Sequence, residues 1–327
     1  MKSIVPLSAD TDETFWLSFF DFKKVFNQKH LIDTPKSFDS FKSSFLDFLA
    51  SSYSHSFKLL IKQDVVVGTI NTLLINKDAK EEVLDVRIES LENSEISDFE
   101  IEIEKEIPIW KNSAKKSKLD TSNKKLIHLL KSFGFREGNE STWFHLKMDK
   151  MNTNLIAAFL DDDTPKKHQL TVELNTHLTG KDIDAVAIMM TTLLNDMERI
   201  DNHQVFKETP EKVQEIVNSH IKTNSNLFHL LLKNEKSELI GMSILVFKKD
   251  HPSSANQYMT GVLKEYRGLG LPSWMKAYLY DYLRKNYPSI KLIKTDCFSG
   301  NAPMIHINKK MGFNEVERTT EMIYENN

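Results

Sequence analysis

Three pairs of landmarks recur along this chain at nearly one spacing. Pro35 and Pro210 lie 175 residues apart, Gly68 and Gly241 lie 173 apart, and the pairs Gly134-Phe135 and Gly312-Phe313 lie 178 apart. Self-similarity at a fixed period means that one supersecondary unit is written twice. The chain is therefore expected to fold as two copies of a unit of about 150 residues, not around one large core. The patterns near the landmarks agree. Residues 12–28 carry Phe and Trp at helical spacing, and Phe38, Phe41, Phe45 and Phe48 mark a second amphipathic helix. Residues 57–61 and 65–75 read as strands turning at Gln63-Asp64. The same order returns as helices over 182–194 and 210–221, then strands over 227–232 and 239–247. Thr34-Pro35 and Thr209-Pro210 each set a capping hydroxyl before a proline suited to a first helical turn.

Between the copies, Asp161-Asp162-Asp163 and Pro165-Lys166-Lys167 suggest a connector. The expected division is 1–150, a linker over 151–168, and 169–327. The first copy is unusual in its middle: residues 81–106 hold eleven acidic and two basic side chains. The alternation Glu100-Ile101-Glu102-Ile103-Glu104 predicts a half-exposed strand, and a helix is expected from about Ser122 to Ser132.

Composition narrows the function. With 43 Lys+Arg against 46 Asp+Glu there is no basic excess for nucleic acid, and no run of about 18 apolar residues for a membrane span. Cys297 is the only cysteine, so no disulfide can form, and a reducing, cytoplasmic setting is expected for an opening segment without a signal-peptide pattern. The histidines lack metal-ligand spacing, so no metal is expected. Glycine is the telling residue. Five of the ten fall between positions 261 and 312, where backbone must turn sharply or approach something closely.

There, residues 258–263 read as a strand, 264–271 as a loop and 272–287 as a helix with an apolar stripe through Trp274, Met275, Tyr278, Leu279, Tyr282 and Leu283. A strand entering a Gly-x-Gly loop and then a helix N-terminus presents free N–H groups at the positive end of the helix dipole, which suits a phosphate. Gly268 and Gly270 admit the anion, and Arg267 can add a charge-assisted contact. A dinucleotide fold opens similarly, with Asp296 about where a ribose-binding acid lies. Against it, Ser273 replaces the third glycine and only 31 residues follow Asp296. No Gly-Lys-Ser/Thr supports a Walker loop.

After a β-type run over 290–295, Asn301 caps another helix that ends at Met311-Gly312-Phe313, and a last strand pattern reaches about Tyr324. Three stretches, 262–270, 301–308 and 311–313, together resemble the GCN5-related N-acetyltransferases. The tandem layout resembles mycothiol synthase and its bacterial relatives, in which one copy is commonly degenerate. The resemblance implies an α/β fold of two tandem units, each a mixed, mostly antiparallel sheet flanked by helices, with the first lacking the phosphate loop. It implies acetyl-coenzyme A as co-substrate and a small-molecule primary amine as acceptor. The N–H groups of Gly268, Leu269, Gly270 and Leu271, with Ser273, would hold the diphosphate. Val262 and Leu263 would pair with the pantetheine amides, and Asn301 would contact the pantetheine arm. Asn308 falls where many members place a tyrosine that protonates the leaving sulfur, so it would fix the cofactor or a water instead. Pro272 replaces the last small residue of the family's loop. Candidate bases are Glu198 and Asp201, on the loop where the family receives the acceptor, and Asp296 at a strand end. A non-catalytic acyl-coenzyme A-binding sensor or interaction protein is the alternative. Cys297 has no paired base and reads as a small buried hydrophobe.

Overall fold

The computed structural model describes residues 2–29, 37–50, 54–75, 82–91, 93–178, 180–197, 206–250 and 252–326. The chain forms two compact units. Neither is a continuous stretch: the first comprises Met1–Ser141 with Arg318–Asn327, and the second Thr142–Glu317.

The first unit runs β1 (Lys2–Pro6), α1 (Glu13–Lys29), α2 (Phe38–Leu49), β2 (Ser54–Lys62), β3 (Val65–Ile75), β4 (Val83–Ser90), α3 (Asn93–Asp98), α4 (Glu100–Ser113), β5 (Lys116–Thr121) and α5 (Lys124–Ser132), then enters β6 (Arg136–Lys147). The strands lie in the order β1-β2-β3-β4-β5 and pair antiparallel except β4 with β5. The β2–β3 turn sits at Gln63-Asp64, as expected, with both residues in the left-handed region (φ 53° and 62°). The Phe-rich stripes of α1 and α2 form one aromatic core with Phe57, in which Trp16 and Phe19 are fully buried. The expected cap at Thr34-Pro35 lies outside the described residues.

Residues expected to form a strand at 100–104 are instead the first turn of α4. The short alternating window concealed a longer helical period. Ile103, Ile107 and Trp110, spaced by four and three, are buried, whereas Ile101 is 66% exposed. Three apolar anchors on one face outweigh the local alternation.

The second unit takes up the last residues of β6, then α6 (Thr153–Asp161), α7 (Thr164–Lys167), β7 (Thr171–Asn175), α8 (Lys181–Asn195), α9 (Pro210–Lys222), β8 (Ser225–Lys233), β9 (Leu239–Lys248), β10 (Ser254–Val262), α10 (Leu271–Asn286), β11 (Leu292–Phe298) and α11 (Ala302–Met311), and ends within β12 (Asn314–Glu325). Its strands lie in the order β7-β8-β9-β10-β11. Helices α8 and α9 pack on one face, over Leu227, Leu231, Met242 and Ile244. Helices α6, α10 and α11 pack on the other, over Phe228, Leu230, Leu245 and Ile293. Thr209 caps α9 as expected, its Oγ1 accepting from the Lys212 N–H at 3.3 Å.

Two boundaries differ from expectation. The division falls at 141/142 and 317/318, not near 150–168. The expected linker is helical: α6 seats Ile156 in the second unit's core, and Asp163, at φ 44°, turns the chain into α7. Its polar residues are the solvent face and caps of packed helices. The end of the chain returns to the first unit. Thr320–Glu325 of β12 pairs antiparallel with Lys116–Thr121, burying Met322 in that unit's core. Among the described residues, no helix is long and apolar enough to cross a membrane.

Candidate anion-binding site in the second unit

β10 organises the site. It pairs in parallel with β11 only through Ser254, Ala255 and Asn256, against Leu292, Ile293 and Lys294. On its other edge it stays with β9 as far as Val262, with a register shift between Gln257 and Thr260. Such a bulge bends its strand. Beyond Asn256 the two parallel strands therefore part, and the Thr295 hydroxyl, donating to Gln257 O at 3.0 Å, marks where the ladder stops. Gln257, 1% exposed, plugs the bulge: its Nε2 donates to Ile244 O at 2.7 Å and to Ser243 Oγ at 3.1 Å. The Leu263 N–H donates to Ile240 O at 2.9 Å. Because an antiparallel ladder alternates, Val262 and Thr260 turn their backbone N–H and C=O groups the other way, into the opening.

The chain then makes one 3₁₀ turn over Lys264–Tyr266 and reaches the glycine loop. Gly268 and Gly270 both adopt left-handed backbone, φ 80° and 78°, which glycine takes without the penalty a Cβ brings. A Cβ at either position would meet nothing within 4 Å, so both face open space. Arg267 N–H is used by Lys264 O, and Trp274 N–H by Gly270 O. Between them, among the described residues, no protein acceptor engages the N–H of Gly268, Leu269, Gly270, Leu271 or Ser273. Pro272, in the first helical turn, has none to offer. No acidic residue stands in the first turn of α10. Bare amides at the positive end of a 16-residue helix form an anion cradle.

The remaining expected residues divide. Leu263 is spent within the protein, since its N–H serves Ile240 and its C=O accepts from Tyr266 at 2.9 Å. Its N–H is therefore not open to a pantetheine carbonyl, and its C=O already has one partner. The Arg267 guanidinium is held by Asp196, at the C-terminal cap of α8, with 2.6 Å between Nη2 and Oδ2. Asn301 caps α11, its Oδ1 accepting from Met304 N–H at 3.1 Å, so that only its Nδ2 is left to face outward chemistry. Asn308 is fully buried, with its Nδ2 unpartnered. Glu198 and Asp201 lie outside the described residues. Cys297, half-buried, packs with the α10 and α11 core, and burial pushes its thiol up to about 11, out of nucleophilic range.

Asp296 stands on the part of β11 beyond its pairing with β10. Side chains alternate along a strand, so with Cys297 directed to α10 and α11, Asp296 is directed to the α8 and α9 face. Its carboxylate reaches solvent, yet the protein gathered around it raises its pKa above the usual value, partly offset by its own backbone N–H. Tyr258, on β10, is its neighbour: burial and then the Asp296 charge raise the phenol. The His220 ring of α9 lies 6.3 Å from the Tyr258 ring, and burial, then the Lys248 charge, holds it below the ordinary histidine value. Tyr258 and His220 carried no motif in the sequence. They become visible as a group only when β10, β11 and α9 are brought together.

No protein-family model matches the chain, and no curated protein matches it in sequence. Solved structures do. A tandem GNAT protein (GCN5-related N-acetyltransferase) from the clavulanic acid biosynthesis pathway is similar at a TM-score of 0.68 and 16% identity, over 99% of this chain and 98% of that one. A GCN5-related N-acetyltransferase from Sphaerobacter thermophilus gives 0.57 and 10%, over 99% and 95%. A putative acetyltransferase from Pyrococcus horikoshii gives 0.51 and 13%, over 100% and 90%. With a parted pair of parallel strands, a glycine loop at a helix mouth and whole-chain agreement with these structures, the chain has the tandem GCN5-related N-acetyltransferase fold.

Proposed function

We propose that the second unit binds an acyl-coenzyme A, acetyl-coenzyme A in the first instance, and transfers the acyl group to a primary amine of a small molecule. The observation that carries this reading is the row of unengaged N–H groups at 268–271 and 273, beside strands that have separated. The fit is good on charge as well as shape: the cradle has no carboxylate of its own, and both glycines leave it uncovered. Gly268, Leu269, Gly270, Leu271 and Ser273 would hold the diphosphate, and the free backbone edge at Thr260 and Val262 would pair with the pantetheine amides. Once bound, the thioester supplies an electrophilic acyl carbon and a thiolate leaving group.

On the protein side, Asp296 is the base in this reading. A carboxylate whose basicity has been raised by its surroundings is better matched to an amine proton than an ordinary aspartate. As the neutral amine nitrogen adds to the acyl carbon and the C–N bond forms, the nitrogen gives up one proton to Asp296, and the C–S bond breaks with its electron pair going to sulfur. Backbone N–H at the free β10 edge stabilises the oxygen that becomes negative on the way. Arg267 closes the α8 side of the loop through Asp196.

Calorimetric titration with acetyl-coenzyme A, followed by thiol release over a panel of small amines, tests this reading. Binding with turnover on at least one amine is expected; absence of any binding defeats it. A second reading, an acyl-coenzyme A sensor without turnover, draws on Asn308, whose amide cannot supply a proton to the leaving sulfur. Tight binding with no turnover on any amine favours that reading.

A further inference from the structure

The acidic stretch of the first unit ends in α4, and acyl transfer makes no use of it. The inner face of α4 is buried in the unit's core, but its outer face carries Ile101, 66% exposed, Ile109, 52% exposed, and the exposed Pro108. Glu104 and Lys105 stand between these apolar residues, and Glu100 opens the helix. All three charges are exposed, and none has an ion-pair partner among the described residues. A merely solvated helix face has no need of two uncovered isoleucines.

Helix α5 lies beside α4. Strands β4 and β5 are parallel, so the helices that follow them run the same way back across the sheet. At one end, Lys111 Nζ of α4 donates to Phe133 O at the end of α5, at 2.9 Å. At the other, Glu100 and Lys125 stand on the rims of a small groove whose buried lining is Ile96, Ile103, Leu126 and Leu129. The outer face of α5 has the opposite sign. Lys124, Lys125, His128 and Lys131 are exposed, the helix contains no acidic residue, and Lys131 is the one held by a carboxylate among the described residues, Glu137 at 2.8 Å.

One layer thus presents unpaired carboxylates with exposed isoleucines on one helix, and unpaired cations on the next. A rotation by half a turn about an axis normal to that layer reverses both helices. It lays α4 of one molecule antiparallel along the α4–α5 seam of another, and carries its Glu100 and Glu104 over the other's basic helix. Every contact is then made twice, as an isologous interface requires. A wholly acidic or wholly basic partner would match half of this face, whereas a second molecule of the chain matches both halves.

We propose that the outer face of α4 and α5 pairs two molecules of this chain into a two-fold dimer, with Glu100 and Glu104 of each facing Lys124 and Lys125 of the other and Ile101 and Ile109 covered between them. Sedimentation equilibrium of the full chain tests this at low and high salt over a wide range of protein concentration. A monomer–dimer equilibrium that weakens with salt is expected. Glu104→Lys and Lys125→Glu should each raise the dissociation constant about tenfold, because the two-fold places each change in the interface twice, and the double variant should recover most of that loss. Ile101→Asp should weaken the dimer as much and leave the melting temperature of dilute, monomeric protein unchanged, since this side chain is outside the core. A chain that is monomeric at every concentration overturns the proposal and leaves the face to a different protein. A dimer indifferent to all three substitutions overturns it too, by placing the interface elsewhere. Single reversals that weaken the dimer but do not rescue one another refute the pairing of α4 with α5.

Discussion

Lys276→Met should stabilise the protein, and the gain should shrink as pH rises. Complete burial pushes the Lys276 amine down from 10.5 to about 7. In the unfolded chain it keeps its ordinary value. Below about pH 7 both states hold the proton, and the folded state carries the whole burden of a buried cation. Between about pH 7 and 10.5 the unfolded chain holds a proton that the folded protein lacks, so wild-type stability climbs with pH by up to about 1.4 kcal/mol per unit. From about pH 7 to about pH 9 the climb is about 2 kcal/mol, slightly less than two full units because Lys276 is half-ionised at the start. Methionine has nearly the same length and no charge, so its stability lacks this slope. The hydrogen bond lost to Asn308 Oδ1, 3.0 Å from the Lys276 Nζ, lowers the variant by a roughly constant amount of about 1 kcal/mol. Cys297, pushed up to about 11, keeps its proton in both folded proteins through this range and cancels in the difference. Tyr280, raised still further by burial, does the same. The assay is urea unfolding of both proteins at matched pH values. The variant's advantage should fall by about 2 kcal/mol across the range. A difference that is flat with pH would show that Lys276 is not a desolvated cation, and the argument from burial would be wrong.

Gly270→Asp should abolish acetyl-coenzyme A binding in calorimetry. It sets a carboxylate against the diphosphate, and its left-handed φ of 78° costs the fold only about 1–2 kcal/mol in a melt. Unchanged affinity would remove the assignment of the cradle. Asp296→Asn should flatten the acidic limb of the pH–rate profile. In the wild type, activity falls as pH drops through a carboxylate pKa raised above the usual value, because protonated Asp296 cannot accept the amine proton. A limb that persists in the variant belongs to another group. Ile103→Ala should cost about 2–4 kcal/mol, whereas Ile101→Ala should change stability by less than about 0.5 kcal/mol. Similar losses at both would argue that the stretch is not the helix α4.

What was legible in the sequence follows from how local each determinant is. The Gly268 and Gly270 loop could be read because a glycine-poor chain sets two glycines directly before a helix start. The α9 cap and the β2–β3 turn are equally local. The α4 helix was misread because five alternating residues looked sufficient, while the anchors Ile107 and Trp110 that decide its period lie beyond them. Lys276 is a charged residue within the apolar stripe of α10, yet with Tyr280 and Leu283 it continues the buried face at steps of four and three. Periodicity could have found it had a lysine been allowed inside. The parting of β10 from β11 had no signal except Gln257, a polar residue buried at mid-strand. The return of β12 to the first unit is a long-range pairing, and no window of sequence contains both of its partners.

The difference between the units is physical as well as sequential. In the first, β4 pairs in parallel with β5 over Val83–Val86, and a helix, α4, again follows β4. The chain leading into that helix has been folded into α3 instead of being left as an open loop, and its end is tied down. Asp98 is paired with Lys62 at 2.6 Å and with Lys2 at 3.6 Å. Phe99, fully buried, occupies the N-cap position, and Glu100 and Glu102 fill the first turn. Carboxylates there satisfy the positive end of the helix dipole from within the chain, and a diphosphate approaching it would meet like charge. At the mouth of α10 the same position holds glycine in open space, no acid stands in the first turn, and the nearby Asp196 is paired with Arg267. Two units with one order of strands and helices thus differ at the one helix terminus where charge and access decide whether an anion can enter.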